Sequence, residues 1–366
     1  MGDAYEHLAE RLATLGMGMP TRPELLDILR RVLTSEEAAV AAALPTAVAP
    51  LTSASPAEVA AQTGLATEEV TATLERLAAR GLVYSTADGT GGHGYGLHQT
   101  GFGFPQTFLW KGETTPEAAE MAGLVAKYFN REVTREAYAS STTKPYRYVP
   151  VDTALSADQQ AVYPIHLMEP ILAQAERFAV AHCACRMAMH LRGRACDHPL
   201  EVCLKFDDLA EYVIERGLGR ELSRDEARAV VEQAERAGLV HFVDNAQDKV
   251  KHNCNCCGCA CWNVGNIRRR KIPRDVLMAT YFLRTTDADG CDGCGACVDV
   301  CPVQAVALVD DQAVVDEQWC IGCGLCVPRC RQGAAALEPR VDVAPGAVTP
   351  DFATLHRRIL AEKGLG

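Results

Sequence analysis

Eight cysteines near the carboxyl end have the types and spacing that do redox chemistry. Cys291, Cys294, Cys297 and Cys301, followed by Pro302, read C-x2-C-x2-C-x3-C-P, and Cys320, Cys323, Cys326 and Cys330 repeat the spacing. Three sulfurs at steps of three wrap one corner of an iron–sulfur cubane in a tight loop, and the fourth, a helical turn further on, reaches a second cluster. Gly293, Gly295, Gly322 and Gly324 suit a chain that curves closely round such a cluster and turns backbone N–H groups towards sulfur. Two 4Fe–4S clusters and low-potential electron transfer are therefore expected. A pair of zinc sites is the competing reading, but zinc is usually held by short C-x2-C clips from separated segments.

Nine further cysteines fall in two groups: Cys183, Cys185, Cys196 and Cys203, then Cys254, Cys256, Cys257, Cys259 and Cys261. Neither group has ferredoxin spacing. All seventeen cysteines lie between Cys183 and Cys330, and no charged-then-apolar leader with a small-residue cleavage site precedes them, so a disulfide framework is not expected. Nine reduced thiols within 79 residues call for metal. The expected arrangement is one or two further 4Fe–4S clusters, with the two groups as ligand sets and sharing between them equally allowed; a structural zinc is the alternative. His182, His190, His198 and His252 lie near these thiols in sequence, where they could ligate iron, pass protons or simply pack. The basic run Arg268 to Arg274 either docks an acidic partner or substrate, or neutralises residues 285–340, where nine acids face three bases.

On these motifs, residues 285–340 resemble the bacterial dicluster ferredoxin domain. The resemblance implies that Cys291, Cys294, Cys297 and Cys330 hold one cluster and that Cys320, Cys323, Cys326 and Cys301 hold the other. The second run departs from the pattern only at Arg331, where proline is usual, and this removes no ligand. Cys256-Cys257-Gly258 resembles the C-C-G element of the heterodisulfide reductase family, which implies an unusual, substrate-binding cluster. The whole order of motifs resembles long multi-cluster ferredoxin-like proteins of anaerobic bacteria.

The elements that must position these residues follow from periodicity and capping signals. Leu25, Leu26, Ile28, Leu29 and Val32 have helical spacing, and Thr34 with Glu37 forms a capping box. Ser55, Pro56 and Glu58 open a helix that stops at Gly64, a second runs from Thr67 to Arg80, and two short strands flank a glycine-rich loop. This order resembles a winged helix-turn-helix, but Glu68, Glu69 and Glu75 against Arg76 and Arg80 would repel phosphate, which favours packing or partner docking over DNA binding. Gly89 to Gly94 fits G-x-G-x-x-G, yet Tyr95, Leu97 and Phe102 read as strand or turn rather than the helix a dinucleotide site needs. Further on, helices are expected at 116–129, 206–216 and 224–237, the last capped by Ser223 and Glu226, and from 166 to about 176. Extended segments are expected at Tyr146 to Val151, Arg177 to Ala181, Leu239 to Val243, and as a hairpin at 305–315 turning at Asp310 and Asp311.

The expected fold class is multidomain α+β. It comprises a mainly helical, winged-helix-like segment (1–104), a central α/β cysteine-rich region (105–284), a dicluster ferredoxin domain (285–340) and a tail with a short helix (341–366). No apolar run is long enough to span a membrane, and the charge of −11 argues against general binding to nucleic acid and for a basic partner surface. The function expected is cytoplasmic electron relay to a further cysteine-ligated cluster or to a redox partner protein. The alternatives are a reductase acting on a small-molecule substrate at residues 183–261, and a redox-sensing regulator. No hydrolase motif or P-loop is present.

Overall fold

Helix capping and strand alternation account for most of the elements in the computed structural model, which describes residues 3–46, 52–89, 91–98, 104, 106–343 and 346–365. In the N-terminal part, helices Ala4–Ala13, Pro23–Val32 and Ser35–Ala42 pack around Leu25, Ile28, Leu29 and Val32. The Thr34/Glu37 and Ser55/Glu58 capping boxes are both closed in both directions. Helices Pro56–Thr63 and Thr67–Ala79 lead into the antiparallel pair β1 (Tyr84–Ala87) and β2 (His93–Gly96), the helix–helix–hairpin order read from the sequence. Tyr95 and Leu97 are buried there, while the Phe102 assignment lies outside the described residues. Glu75 of the second helix is committed inside the chain, accepting from Tyr95 and pairing with Arg216, the C-cap of helix Asp207–Glu215.

The central region alternates helices and strands as expected, and every strand pairing in its main sheet is antiparallel. Strands β3 (Tyr146–Val149), β4 (Phe178–His182), β5 (Glu201–Phe206), β6 (Arg220–Leu222), β7 (Val240–Asp244), β8 (Ala246–Asp248) and β9 (His252–Cys256) follow in the chain. All but β8 form one sheet in the order β3-β7-β9-β5-β4-β6. The period of two divides the sheet's faces. Val149, Val180, Val202, Leu204 and Val243 turn to one side, where helices Met168–Gln174 and Arg224–Arg236 cover them. Burying apolar surface there contributes roughly 25 cal/mol per Å² and leaves the opposite face for chemistry.

The C-terminal module begins with β10 (Phe282–Thr286) and contains the hairpin of β11 (Val306–Val309) and β12 (Gln312–Val315). Asp310 and Asp311 carry φ of 48° and 58°, the left-handed pair that a two-residue type I′ connection requires. Strand β13 (Ala335–Pro339) pairs antiparallel with β10, so the two ends of the module close on each other. Finally β14 (Thr349–Asp351) runs parallel to β8, and helix Phe352–Glu362 buries Leu355 and Ile359 against Ala246. Among the described residues no helix is long and apolar enough to cross a membrane.

Candidate metal centres

Two cysteine loops sit in the C-terminal module. Gly293 and Gly322, each between the first two cysteines of its run, have φ of 68° and 61°, and a Cβ on either would strike the backbone, of Asp311 and Phe282 respectively. Those positions therefore need glycine. Cys291 and Cys294 act electrostatically on Cys297, whereas Cys301 acts on Cys320, Cys323 and Cys326, so the first run's last cysteine keeps company with the second run. Burial pushes the Cys320, Cys323 and Cys326 thiols up, the last to about 12, and a bound cation is what makes thiolates tolerable at such positions. Arg284 on β10 is 3 % exposed and brings Nη2 to 3.8 Å from Cys297 Sγ; its charge also favours the Cys326 thiolate. Of the module's cysteines Cys294 is exposed, whereas Cys297, Cys320, Cys323 and Cys326 are buried.

The chemical face of the central sheet assembles a second kind of site. Cys203 and Lys205 alternate on β5, and His252, Cys254 and Cys256 alternate on β9, so all five side chains emerge on one side. Cys183 and Cys185 enter at the end of β4, and Cys261 enters from the turn after β9. These six thiols line one cavity of about 50 Å³ with Trp110, Tyr138, Tyr146 and Phe242 among its walls. That is several times the space one water needs. The Cys203 and Cys254 sulfurs are 3.9 Å apart, and Lys205 Nζ, fully buried, lies 2.8 Å from Cys203 Sγ and 4.3 Å from the Trp110 ring centre. The thiols alternate in acidity: hydrogen bonds from Cys203 and Cys256 hold Cys254 down to about 5, and those from Cys185 and Cys256 hold Cys261 low. A hydrogen bond with Cys183, then that with Cys261 and burial, pushes Cys185 up, while the bonds with Cys254, with burial, push Cys203 and Cys256 up. Soft, convergent thiols in an apolar, enclosed space are the donor set an iron–sulfur cluster takes, and four of the six would suffice for a cubane.

The fold thus regroups the nine cysteines across the two sets that sequence proximity suggested. Cys196 leaves the first set and Cys257 and Cys259 leave the second; they meet His198 away from the six-thiol cavity. Strand alternation explains the parting of neighbours, since Cys256 faces the cavity at the end of β9 while Cys257 begins the next turn. Of the other histidines, His252 lines the cavity beside Asp244, His182 has Nδ1 3.2 Å from the Trp110 carbonyl oxygen, and His190 lies in the last turn of helix Ala184–Leu191. Lys205 and Tyr148 were not singled out by sequence; the signal for Lys205 was its place two residues from Cys203 in a strand, which fixes a shared face.

The two halves are pressed together. Arg274 donates to the Cys320 carbonyl, Arg270 donates to the carbonyls of Val303 and Gln304 at 2.7 and 2.6 Å, and the Arg270 guanidinium stacks 4.7 Å from the Trp319 ring centre. Much of the basic run is therefore used inside the chain. Tyr148, buried in one apolar cluster with Cys256, Cys261, Cys320 and Cys323, feels the Cys261 and Cys256 thiols from the central site and Cys323 from the module.

Compared with known proteins, residues 290–334 match the family described as the 4Fe-4S dicluster domain. No curated protein and no solved structure matches the chain. The matched segment, with the cysteines around it, makes this an iron–sulfur protein of electron-transfer type.

Proposed function

We propose that this chain relays electrons, one at a time, from an external donor at the Cys294 end of the dicluster module to a centre held by Cys183, Cys185, Cys203, Cys254, Cys256 and Cys261. The observation that carries the reading is the apolar cluster that Tyr148 shares with Cys256 and Cys261 of the central site and with Cys320 and Cys323 of the module. Bound clusters would supply the one-electron carriers. The chain's own residues place the donors, keep water from the inner thiols and leave one end of the module open. Cys294, Asp292 and Asp299 are exposed there, which suits a basic redox partner protein. Arg284 and Lys205 supply fixed positive charge to offset reduced clusters.

A second reading is favoured by one feature, the two thiols beyond the four a cubane takes. With Lys205 as a buried cation, the six-thiol centre could reduce a small molecule itself. Electron paramagnetic resonance of anaerobic protein under stepwise reduction tests the relay. The expected result is a third reducible centre whose signal is broadened by spin coupling to the module, and which disappears in Cys254→Ser. Reduction of only the two module clusters would overturn it.

A further inference from the structure

We infer that Cys196, His198, Cys257 and Cys259 form a separate site for one zinc ion, distinct from the iron–sulfur centres. One ligand atom from each of these four side chains lies within 4.8 Å of every other, and Cys259 Sγ is 3.8 Å from His198 Nδ1. Zinc–sulfur bonds of about 2.3 Å and a zinc–nitrogen bond of about 2.0 Å at a tetrahedral angle put those two atoms about 3.5 Å apart. The observed spacing therefore encloses a single ion. A cubane holds its four ligand sulfurs at the corners of a larger tetrahedron, and a two-iron cluster separates its ligands into two distant pairs, so neither fits four mutually close atoms.

The donor chemistry points the same way. Three thiols and one imidazole converging within 4.8 Å are the donor set of a structural zinc, which fills all four positions and keeps none open as a catalytic metal does. The turn after β9 is already shaped for it: the Ala260 N–H points at Cys257 Sγ, 3.4 Å away, which is the backbone support that a thiolate ligand takes. Three thiolates and a neutral imidazole around Zn²⁺ leave one negative charge, and three thiol protons go to solvent on binding. Arg186, 1 % exposed, acts with its charge on Cys257 of this group and on Cys183 and Cys256 of the cavity, and Arg269 donates to the Cys259 carbonyl at 3.4 Å.

The ion's role is that of a clip. It would tie the segment before β5, where Cys196 and His198 sit, to the 257–261 turn that delivers Cys261 to the cavity and rests Gly258 on Pro302 of the dicluster module. The six-thiol wall and the seat of the module would then share one anchor.

The full-length protein, purified anaerobically and freed of loosely bound metal by brief chelation, is analysed for zinc and iron together and by X-ray absorption at the zinc edge. About one zinc per chain is expected, with three sulfur neighbours and one nitrogen neighbour. Zinc should fall at least fivefold in both His198→Ala and Cys259→Ser, while Cys254→Ser keeps it and loses iron. Zinc below a tenth of an equivalent in the wild type, a shell of oxygen neighbours, or zinc retained in both His198→Ala and Cys259→Ser would overturn the assignment. Because the absorption spectrum is read on the wild type, the test stands even if a variant folds poorly. Iron content reports the electron relay independently, so either idea can fail alone.

Discussion

Replacing Gly258 by alanine tests whether the 257–261 turn is the seat of the dicluster module. The φ of Gly258 lies outside the left-handed region, so alanine meets no backbone penalty, and its Cβ is the whole perturbation. That Cβ would overlap the Pro302 carbonyl oxygen, lie 3.0 Å from the Pro302 carbonyl carbon and lie 2.9 Å from Arg268 Cδ. The arginine can swing away. The Pro302 backbone cannot, because it follows Cys301 and precedes the Val303 and Gln304 carbonyls held by Arg270. Forcing extra volume into a packed contact costs about 1–3 kcal/mol, which corresponds to roughly 5- to 150-fold more frequent local opening. Amide hydrogen exchange of the anaerobic protein reads this directly: residues 257–261 and 303–304 should lose protection together in Gly258→Ala, with the N-terminal helices unchanged. Protection of both segments at the wild-type level would refute the packing argument. Loss confined to 257–261 would show that the module does not rest on that turn.

Other outcomes follow from the same physical reasoning. Gly123 lies inside helix Pro116–Tyr128 with nothing within 4 Å of an added Cβ, so Gly123→Ala should raise stability by about 0.5–1 kcal/mol in chemical denaturation. Burial lowers His98 and His166 to about 3 and His356 to about 4. All three stay neutral in the fold but gain a proton on unfolding below their ordinary range near 6.5, so stability should fall as pH drops from about 6.5 towards 4. The slope is about 1.4 kcal/mol per pH unit for each histidine, and a flat profile in that window would contradict it. Lys205→Met removes the cation beside Cys203 and should make the proposed third centre harder to reduce, by on the order of 50–100 mV in a mediated titration. Arg270→Ala withdraws the two hydrogen bonds that reach the module and a stacked cation, so it should weaken the seating of the module by about 1–3 kcal/mol and speed proteolysis between residues 268 and 304.

Local signals were legible in the sequence and long-range ones were not. Thr34 with Glu37, Ser55 with Glu58 and Ser223 with Glu226 specify helix starts through bonds spanning three residues, and all three close. The dicluster loops were legible because spacing, glycine and turn geometry all act within a dozen residues. The nine central cysteines were not sortable, because their grouping depends on the pairing of β5 with β9 across some fifty residues, which brings Cys203 to Cys254. β9 itself was missed: His252 to Cys256 alternates cysteine and asparagine, without the β-branched or aromatic residues that mark a strand. Its two asparagines are buried and bonded, Asn255 donating to the Val202 carbonyl at 2.7 Å, a tertiary arrangement that composition does not announce.

The most direct test of the central idea is the number of irons and acid-labile sulfides per chain in anaerobically purified protein, wild type beside Cys203→Ser/Cys254→Ser. The expected result is about twelve of each in the wild type, falling to about eight when the six-thiol cavity is broken and the dicluster module is intact. About eight in both proteins would contradict a third iron–sulfur centre.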